Sequence, residues 1–328
     1  MAYTAIDDPS AFFKVQLYTG DGNDDRTVTF DDTDTNMQPN LIIIKGRSFT
    51  DDHTVFDTAR GVNKWMATNR TYASSDTADP NFGVKSFDSD GFTVGPWSAL
   101  NGDTNTHVAW CWKESTTAGF DIVDYDGAGA ANHAHSLSAV PKFMIVKRYS
   151  ATESWFVYSG ALGQAKVGYL NDSVAWGSGT NVWGGSDPTS SVFSIGSDSG
   201  ISGSGDYVAY VWAEKQGFSK FGQYEGNGNV NGTYVYTGFR PAMIMIKNAD
   251  ASDSWRLFDN KRLGHNPDNN YVYPNATSTE STDDIMDIYA NGFKLRKTDD
   301  VNAANTYVYM AWAEQPLVNS KGVPNNAR

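Results

Sequence analysis

The sequence predicts an all-β protein made of three tandem, homologous β-sandwich domains of jelly-roll or lectin-like type, each about 100 residues long. The main observation is an apolar stretch that occurs three times, as HVAWCWKE (107–114), YVAYVWAE (207–214) and YVYMAWAE (307–314). The second is a composition with 17 Tyr, 17 Phe, 10 Trp and 31 Gly, which favours strands joined by tight turns over helices.

Five sequence blocks recur in the same order in each third of the chain. The first is a strand in which a tyrosine precedes a Gly-x-Gly turn by two residues, and the second is a run from Pro to Lys (39–45, 141–147 and 241–247). An aromatic residue follows each of those lysines by eleven positions; a fourth block around GFTVG and the closing apolar stretch complete the unit. Such regular repetition indicates one supersecondary unit used three times.

The blocks alternate in polarity or form short apolar runs between Gly, Asp, Asn and Pro, as strands do. In the closing strand one face is bulky in every copy, so we assign that face to the core of each sandwich. The predicted structural core residues are the tryptophans of this face and the tyrosines of the first strand: Trp112, Trp212, Trp312, Tyr18, Tyr125 and Tyr224.

The repeats divide the chain into an N-terminal arm and three domains, followed by a C-terminal arm. The predicted bounds are 1–11, 12–115, 116–215, 216–316 and 317–328. The connections are short, so we expect the domains to pack as a semi-rigid row or triangle. The C-terminal arm is expected to be disordered, or ordered only by a partner.

Charge and hydropathy narrow the function classes. The net charge of −13 is spread along the chain without a basic patch, so nucleic-acid binding is not expected. No apolar segment approaches the roughly 20 residues that span a bilayer, so membrane insertion is not expected, and no secretory signal is visible. The single cysteine, Cys111, is expected to be a small buried hydrophobe.

The sequence does not favour an enzyme, and no cofactor is expected. The Gly-x-Gly pairs lack the third glycine and the helix of a dinucleotide-binding motif, so turns explain them. Glu114, Glu214 and Glu314 recur once per repeat, whereas glycosidases need two carboxylates across a cleft, so a structural role at the strand end is favoured. The D-x-x-R pairs of the first and third repeats, Asp57/Arg60 and Asp259/Arg262, are expected to be exposed or half-buried ion pairs.

Metal sites have two weak candidates. His133 and His135 could share a strand face, but the other repeats offer no matching ligands, and a solvated strand edge is favoured. A loose calcium site could use Asp21, Asp24, Asp25, Asp32 and Asp34, although the stretch fails the EF-hand pattern at Met37 and Ile43. A solvated acidic loop is the preferred interpretation.

Glycan binding is weighed from aromatic residues in Gly/Ser/Asn-rich stretches that differ between the repeats. Variable loops on a constant scaffold commonly carry recognition. The candidate ligand-binding residues are Trp97, Trp176, Trp183, Tyr271 and Tyr273. The alternative, which we favour, is that these aromatics cover small cores from outside.

The order of motifs resembles a family of bacteriophage virion proteins found in marine phages, often labelled tail-fibre-like or concanavalin-A-like lectin/glucanase-like. The motifs that carry the resemblance are YTGDG, PNLIIIK, FDTARG, FDSDGFTVG and HVAWCWKE, followed by PKFMIVK, YVAYVWAE, PAMIMIK, ANGFKLR and YVYMAWAE, over residues 12–316. One departure is DDTDTNMQPN, which replaces the usual GFxP entry to the first long strand.

The resemblance implies a non-enzymatic virion structural protein, either tail- or fibre-associated or a capsid-surface decoration. Such a protein would be assembled in the cytoplasm of the host bacterium and be multimeric on the particle. Its partners would be other tail, fibre or capsid proteins and, in host attachment, a host surface glycan. The alternative is a carbohydrate-binding lectin-like module or a glycan depolymerase acting on host surface polysaccharide.

Overall fold

Each of the three repeats folds into one large and one small antiparallel sheet. The computed structural model describes residues 2–31, 35–76, 82–262, 266 and 270–325. Helix in these residues is limited to two short α-helices, Ser98–Asn101 and Ser199–Ser202, and two 3-10 turns, Pro9–Ala11 and Asp300–Asn302. The all-β sandwich prediction is confirmed.

The strands run in chain order from β1 to β25. The first repeat contains β1 (Phe13–Thr19), β2 (Arg26–Thr29), β3 (Leu41–Gly46), β4 (Thr54–Asp57), β5 (Lys64–Ala67), β6 (Ser75–Asp76), β7 (Val84–Asp88), β8 (Gly91–Val94) and β9 (Thr106–Trp112). The second contains β10 (Phe120–Gly127), β11 (Ala131–Ala134), β12 (Pro141–Arg148), β13 (Trp155–Ser159), β14 (Lys166–Tyr169), β15 (Gly177–Ser178), β16 (Val192–Ile195) and β17 (Gly205–Ala213). The third contains β18 (Ser219–Glu225), β19 (Tyr234–Tyr236), β20 (Phe239–Asn248), β21 (Arg256–Asp259), β22 (Tyr271–Val272), β23 (Met286–Tyr289), β24 (Gly292–Leu295) and β25 (Thr306–Pro316).

The same topology is used three times. The large sheets have the orders β1-β9-β3-β4-β5-β6, β10-β17-β12-β13-β14-β15 and β18-β25-β20-β21-β22. The small sheets are β2-β8-β7, β11-β16 and β19-β24-β23. In each repeat the closing strand therefore lies between the first and the third strands of that repeat, so both of its edges are hydrogen-bonded to neighbouring strands.

Each repeat has its own core between its large and small sheets. A tyrosine from the first strand anchors each core and donates a hydrogen bond to a backbone carbonyl in the turn before the closing strand. These bonds are Tyr18 to Leu100 (2.7 Å), Tyr125 to Ile201 (2.9 Å) and Tyr224 to Val301 (2.7 Å). A buried phenol with its hydroxyl satisfied in this way stabilises the core, and the structure places the three tyrosines in the three sandwich cores.

The other face of each large sheet packs into a fourth core at the centre of the molecule. Trp112, Trp212 and Trp312 meet there, with ring centroids 5.3–6.3 Å apart and planes inclined by 63–71°. These edge-to-face contacts suit the ring quadrupoles, and the tryptophans are at most 2% exposed. The three repeats therefore form a closed triangle around a pseudo-threefold axis.

The tryptophan face was assigned to the wrong core. The three tryptophans are buried, as predicted, but they face the neighbouring repeats, while the opposite face of the closing strand fills the sandwich core. That opposite face in the first repeat is formed by His107, Ala109 and Cys111. Because both faces of the sheet are covered, apolar bulk on one face could not indicate which core it enters.

Equivalent backbone hydrogen bonds join each repeat to the next around the ring. Between the first and second repeats they run from Ser74 N to Tyr149 O (2.7 Å) and from Glu153 N to Thr71 O (2.8 Å). The corresponding bonds are Trp176 N to Ala249 O (3.0 Å) and Asp253 N to Ser173 O (2.8 Å), then Glu280 N to Arg47 O (3.1 Å) and Asp51 N to Thr277 O (3.1 Å). The last pair joins the third repeat to the first, so the ring is closed.

One aromatic or imidazole side chain from each repeat is inserted into the preceding repeat. The indole Nε1 of Trp155 donates to the carbonyls of Ala67 and Arg70 (both 2.9 Å), and that of Trp255 donates to Tyr169 O (2.8 Å). The equivalent residue of the first repeat is His53, which is 1% exposed and stacks on Trp110. Desolvation lowers the pKa of His53 well below its usual value, so this ring is neutral.

The lysine that ends each Pro-to-Lys block is buried beside these junctions. Each donates from Nζ to the carbonyl of the following residue, as in Lys45 to Gly46 (2.7 Å), Lys147 to Arg148 (2.6 Å) and Lys247 to Asn248 (2.8 Å). Burial lowers the pKa of all three to about 8. The repeated lysines thus satisfy carbonyls at the end of a covered strand.

The D-x-x-R pairs are fully buried, which corrects the expected exposure. Arg60 lies 2.6 Å from Asp57 and Arg262 lies 2.7 Å from Asp259, and all four side chains are inaccessible. Each aspartate also accepts a hydrogen bond from an aromatic residue of the following repeat around the ring, Tyr210 to Asp57 (2.6 Å) and Trp110 to Asp259 (3.1 Å).

The middle repeat lacks the pair for a physical reason. Its equivalent positions are Ser159 and Leu162, and the residue of the third repeat equivalent to Tyr210 and Trp110 is Met310. Methionine has no hydrogen to donate, and an acid buried without that donor would be costly. Serine and leucine fill the position without charge.

Both predicted arms pack against the ring. Ile6 is 3% exposed and belongs to the central core, and Tyr3 donates to Gly238 O (2.7 Å). Ser320 N donates to Asp7 (2.6 Å), and Val318 pairs with Pro324. Leu317 N also donates to Gly238 O (3.3 Å), so residues 317–325 make contacts within the chain; residues 326–328 lie outside the described part.

Replacing Trp212 with alanine is expected to destabilise the whole ring. Large-to-small changes of this kind cost about 3–5 kcal/mol, and the central core is shared, so we expect one cooperative urea transition at a lower midpoint. Tyr72→Ala is the control, because Tyr72 is 59% exposed. Three separate transitions, or a loss below about 1 kcal/mol, would contradict the shared core.

The buried ion pair gives a matched test inside one chain. Asp57→Ala leaves Arg60 buried without an acidic partner among the described residues and is expected to lower the free energy of unfolding by about 3–5 kcal/mol. Ser159→Ala at the equivalent position of the middle repeat is expected to change it by less than about 1 kcal/mol. Urea denaturation measures both, and equal losses would show that the pair does not hold the interface.

Candidate functional site

Three of the five aromatics predicted to bind glycan are buried. Trp176, Trp183 and Tyr271 are 5%, 1% and 2% exposed. Trp183 lies in the core of the second repeat and donates to Lys166 O (2.9 Å), while Trp176 packs near Trp255 in the central core. These side chains cannot act as sugar platforms, and the alternative, that they cover cores, describes them correctly.

The other two predicted aromatics are half-buried and lie in different repeats. Trp97 packs on Trp65 of the first repeat, with ring centroids 5.0 Å apart. Tyr273 packs edge-on against Tyr271 in the third repeat, at 5.3 Å. No contact in the described structure brings Trp97 and Tyr273 into one site.

The candidate calcium ligands that the structure describes are held by basic residues. Asp21 lies 2.6 Å from Arg26, and Asp24 lies 2.9 Å from Lys85, which also pairs with Asp25. Asp32 and Asp34 lie outside the described residues. Within the described ranges no group of three His, Cys, Asp or Glu side chains is arranged to hold a metal ion.

The side chains of His133 and His135 contact different groups of the second repeat. His133 packs against Tyr125, with ring centroids 4.0 Å apart, whereas His135 lies 3.2 Å from the carbonyl of Thr189. His133 thus covers the edge of the second repeat's core.

Glu114 and Glu214 lie just after the closing strands β9 and β17, whereas Glu314 lies within the longer β25. Glu214 accepts hydrogen bonds from Lys220 Nζ (3.0 Å) and Phe221 N (3.3 Å), as a strand-end structural role requires. Glu314 is paired with Arg240 at 2.5 Å.

Glu114 has an acid as its neighbour instead. Its carboxyl group is hydrogen-bonded to Asp121, a buried residue at the position that Lys220 occupies in the third repeat. Desolvation and this second carboxyl raise the pKa of Glu114 to about 7. Two carboxyls that share a proton are closer than the roughly 5 Å that separates the pair of a retaining glycosidase. The pair therefore joins two repeats rather than flanking a substrate cleft.

One surface that differs between the copies is the outer face of the small sheet in the third repeat. Tyr234 and Tyr236 of β19 point away from the core and are 43% and 51% exposed, while Val235 between them is buried. Tyr289 of β23 packs edge-on against Tyr234, with centroids 6.0 Å apart. Asn291 and Lys294 complete this surface, which we call the tyrosine face.

The same positions carry small side chains in the other repeats. Val235 pairs with Phe293 as Val28 pairs with Phe92 and His133 with Phe193, so the registers correspond. The exposed residues that correspond to Tyr234 and Tyr236 are Thr27 and Thr29 in the first repeat, and Asn132 and Ala134 in the second. Aromatic side chains on this face are therefore specific to the third repeat.

Polar groups surround the tyrosine rings. Tyr234 donates from its hydroxyl to Asn291 Oδ1 (2.5 Å), and Lys294 Nζ donates to Asn231 Oδ1 (2.5 Å). The hydroxyl of Tyr236 lies 3.4 Å from that of Tyr3. Exposed rings beside amide and ammonium groups form a surface that can both stack and hydrogen-bond.

The family described as Domain of unknown function (DUF7483) matches residues 8–316. The chain belongs to this family. No curated protein and no solved structure matches the chain. The DUF7483 match begins at the 3-10 turn before β1 and ends with β25, so it includes all three repeats and the tyrosine face. In the described part of this DUF7483 chain, no helix is long and apolar enough to cross a membrane.

The tyrosine face lies on a strand, whereas the sequence predicted recognition in the loops that differ between the repeats. The signal is the alternation in TYVYTG, where Tyr234 and Tyr236 flank a single valine. A strand of three residues is too short to stand out by periodicity alone. Alignment of Phe293 with Phe92 and Phe193 would have shown which copy carries the aromatics.

The acid pair predicts a pH-dependent effect of Glu114→Gln. The folded chain holds a proton on Glu114 up to about pH 7, whereas the unfolded chain loses it near the ordinary value of about 4.5, so the natural chain loses stability as pH rises through this window. We expect Glu114→Gln to melt at a higher temperature than the natural chain at pH 8 and at the same temperature at pH 4. Thermal unfolding followed by circular dichroism measures this.

Glu214→Gln is the matched control for that measurement. It removes a carboxylate that accepts from Lys220, so its melting temperature at pH 8 is expected to fall rather than rise. A fall for Glu114→Gln at pH 8 would contradict the shared proton.

Proposed function

We propose that the protein is a non-enzymatic structural component of a bacteriophage particle, positioned on the tail, on a fibre or on the capsid surface, where it takes part in assembly. The observation that carries the proposal is the closed pseudo-threefold ring. Its three interfaces use equivalent backbone bonds, and its centre is the contact of Trp112, Trp212 and Trp312. The likeness of the sequence motifs to those of phage virion proteins supports the same conclusion.

A pseudo-threefold single chain suits a symmetric assembly. Closed point-group symmetry lets identical contacts be repeated, and a ring of three homologous domains offers three related surfaces to a threefold partner. Particle proteins act in many copies, so weak contacts at such surfaces add up to firm attachment.

The residues that recur in all three repeats are occupied by the ring itself. The recurrent tyrosines donate to backbone carbonyls, and the recurrent lysines satisfy carbonyls at the ends of covered strands. The indoles of Trp155 and Trp255 enter the preceding repeat. The residues shared by the three repeats therefore hold the cores and the interfaces between the repeats together. The outer sheet faces, where they differ, remain for contact with other molecules.

The test is localisation on the particle. Antibodies raised against the recombinant chain should detect it in gradient-purified particles of a phage that encodes it. Immunogold electron microscopy should then place the label at one discrete position on the tail, fibre or capsid. If the protein is abundant in infected cells but absent from gradient-purified particles, the proposal is overturned.

A further inference from the structure

We propose that the tyrosine face of the third repeat is a glycan-binding site, with sugar rings stacked on Tyr234 and Tyr236 and sugar hydroxyls bound by Asn291 and Lys294. This function goes beyond a structural role in the particle. It also moves glycan recognition away from the buried residues Trp176 and Trp183.

The rings are presented as a short platform. Two residues apart on one strand, the side chains of Tyr234 and Tyr236 emerge about 7 Å from each other, a spacing comparable with one sugar unit. The negative face of a phenol ring attracts the weakly positive C–H groups that line the flat side of a pyranose. Tyr289 supports Tyr234 from the side and limits its rotation.

Hydrogen-bonding groups stand beside the rings. The carbonyl oxygen of the Asn291 side chain accepts from Tyr234, and its amide nitrogen has no protein partner among the described residues. Lys294 is the cross-strand neighbour of Tyr234 and reaches Asn231 at the rim. Such donors next to an aromatic platform fit the alternating hydroxyl and C–H surface of a sugar.

The size of the face favours a glycan over a protein partner. Three strands of three to four residues cover roughly 130 Å², from the ordinary strand spacing and rise. A stable protein interface needs about 800 Å² from each partner, several times more.

The local charge also differs from that of the chain. The net charge of the chain is −13, yet β24 carries Lys294 and is followed by Arg296, and the acid on the three strands, Asp287, is paired with Arg296. Acidic as well as neutral polysaccharides can therefore approach this face without the repulsion expected elsewhere on the surface.

The test uses the full chain and an array of immobilised bacterial O-antigen and capsular polysaccharides. The natural chain is expected to bind a subset of these glycans, and the double variant Tyr234→Ala/Tyr236→Ala to bind them about 10- to 100-fold more weakly, because two ring contacts are lost. The matched control is Thr27→Ala/Thr29→Ala on the equivalent face of the first repeat, which should bind like the natural chain.

Each remaining outcome decides the proposal. Tyr236→Ala alone, at the more exposed position, should weaken binding without changing the melting temperature, which separates a binding defect from misfolding. Absence of binding to every glycan on the array, or undiminished binding by the double variant, would overturn the site. A change of oligomeric state in the double variant, measured by light scattering, would also overturn it by showing a contact between copies. None of these results depends on where the chain lies on a particle.

Discussion

The contact of Trp112, Trp212 and Trp312 is the interaction on which the rest of the molecule depends. Each indole comes from the closing strand, the second strand from one edge of its large sheet, so the three sheets are oriented by a single edge-to-face cluster. Around it, Phe13, Phe120 and Phe221 pack on the tryptophans and exclude water. A separated sandwich would expose the apolar face that carries these rings, so burial of the central core favours the joined ring.

Away from the axis, the interfaces show that the repeats are adapted to their neighbours rather than merely similar. Asp57 and Asp259 are present where Tyr210 and Trp110, respectively, donate a hydrogen bond to them. In the middle repeat Ser159 takes the place of the acid, and the residue equivalent to the two donors is Met310. His53 likewise replaces the tryptophan found at 155 and 255, and it is neutral in its apolar surroundings. At the position of Asp57 and Asp259 a buried acid is therefore present only where its aromatic hydrogen-bond donor is present, in keeping with the cost of desolvation.

The sequence allowed the repeated strands and the buried tryptophans to be predicted because identical spacing in three copies is a signal that chance does not produce. It could not indicate which core Trp112 enters, since strand periodicity gives two faces and no direction. The glycan candidates failed for a related reason. Trp176 and Trp183 stand among glycines and serines, so they resemble loop residues, yet one is covered by the neighbouring repeat and the other by its own small sheet. Long-range contacts of this kind leave no local pattern.

Joining the three repeats in one chain has a consequence for valence. A ring of three identical subunits must display every surface feature three times, whereas here Tyr234 and Tyr236 occur on one face, and threonines or Asn132 with Ala134 occupy the others. Because the three repeats are parts of one chain, the surface residues of one repeat can differ from those of the other two. A pseudo-threefold scaffold can thereby bind one ligand through a single repeat. When it is placed on a symmetric support, that repeat gives it a defined orientation.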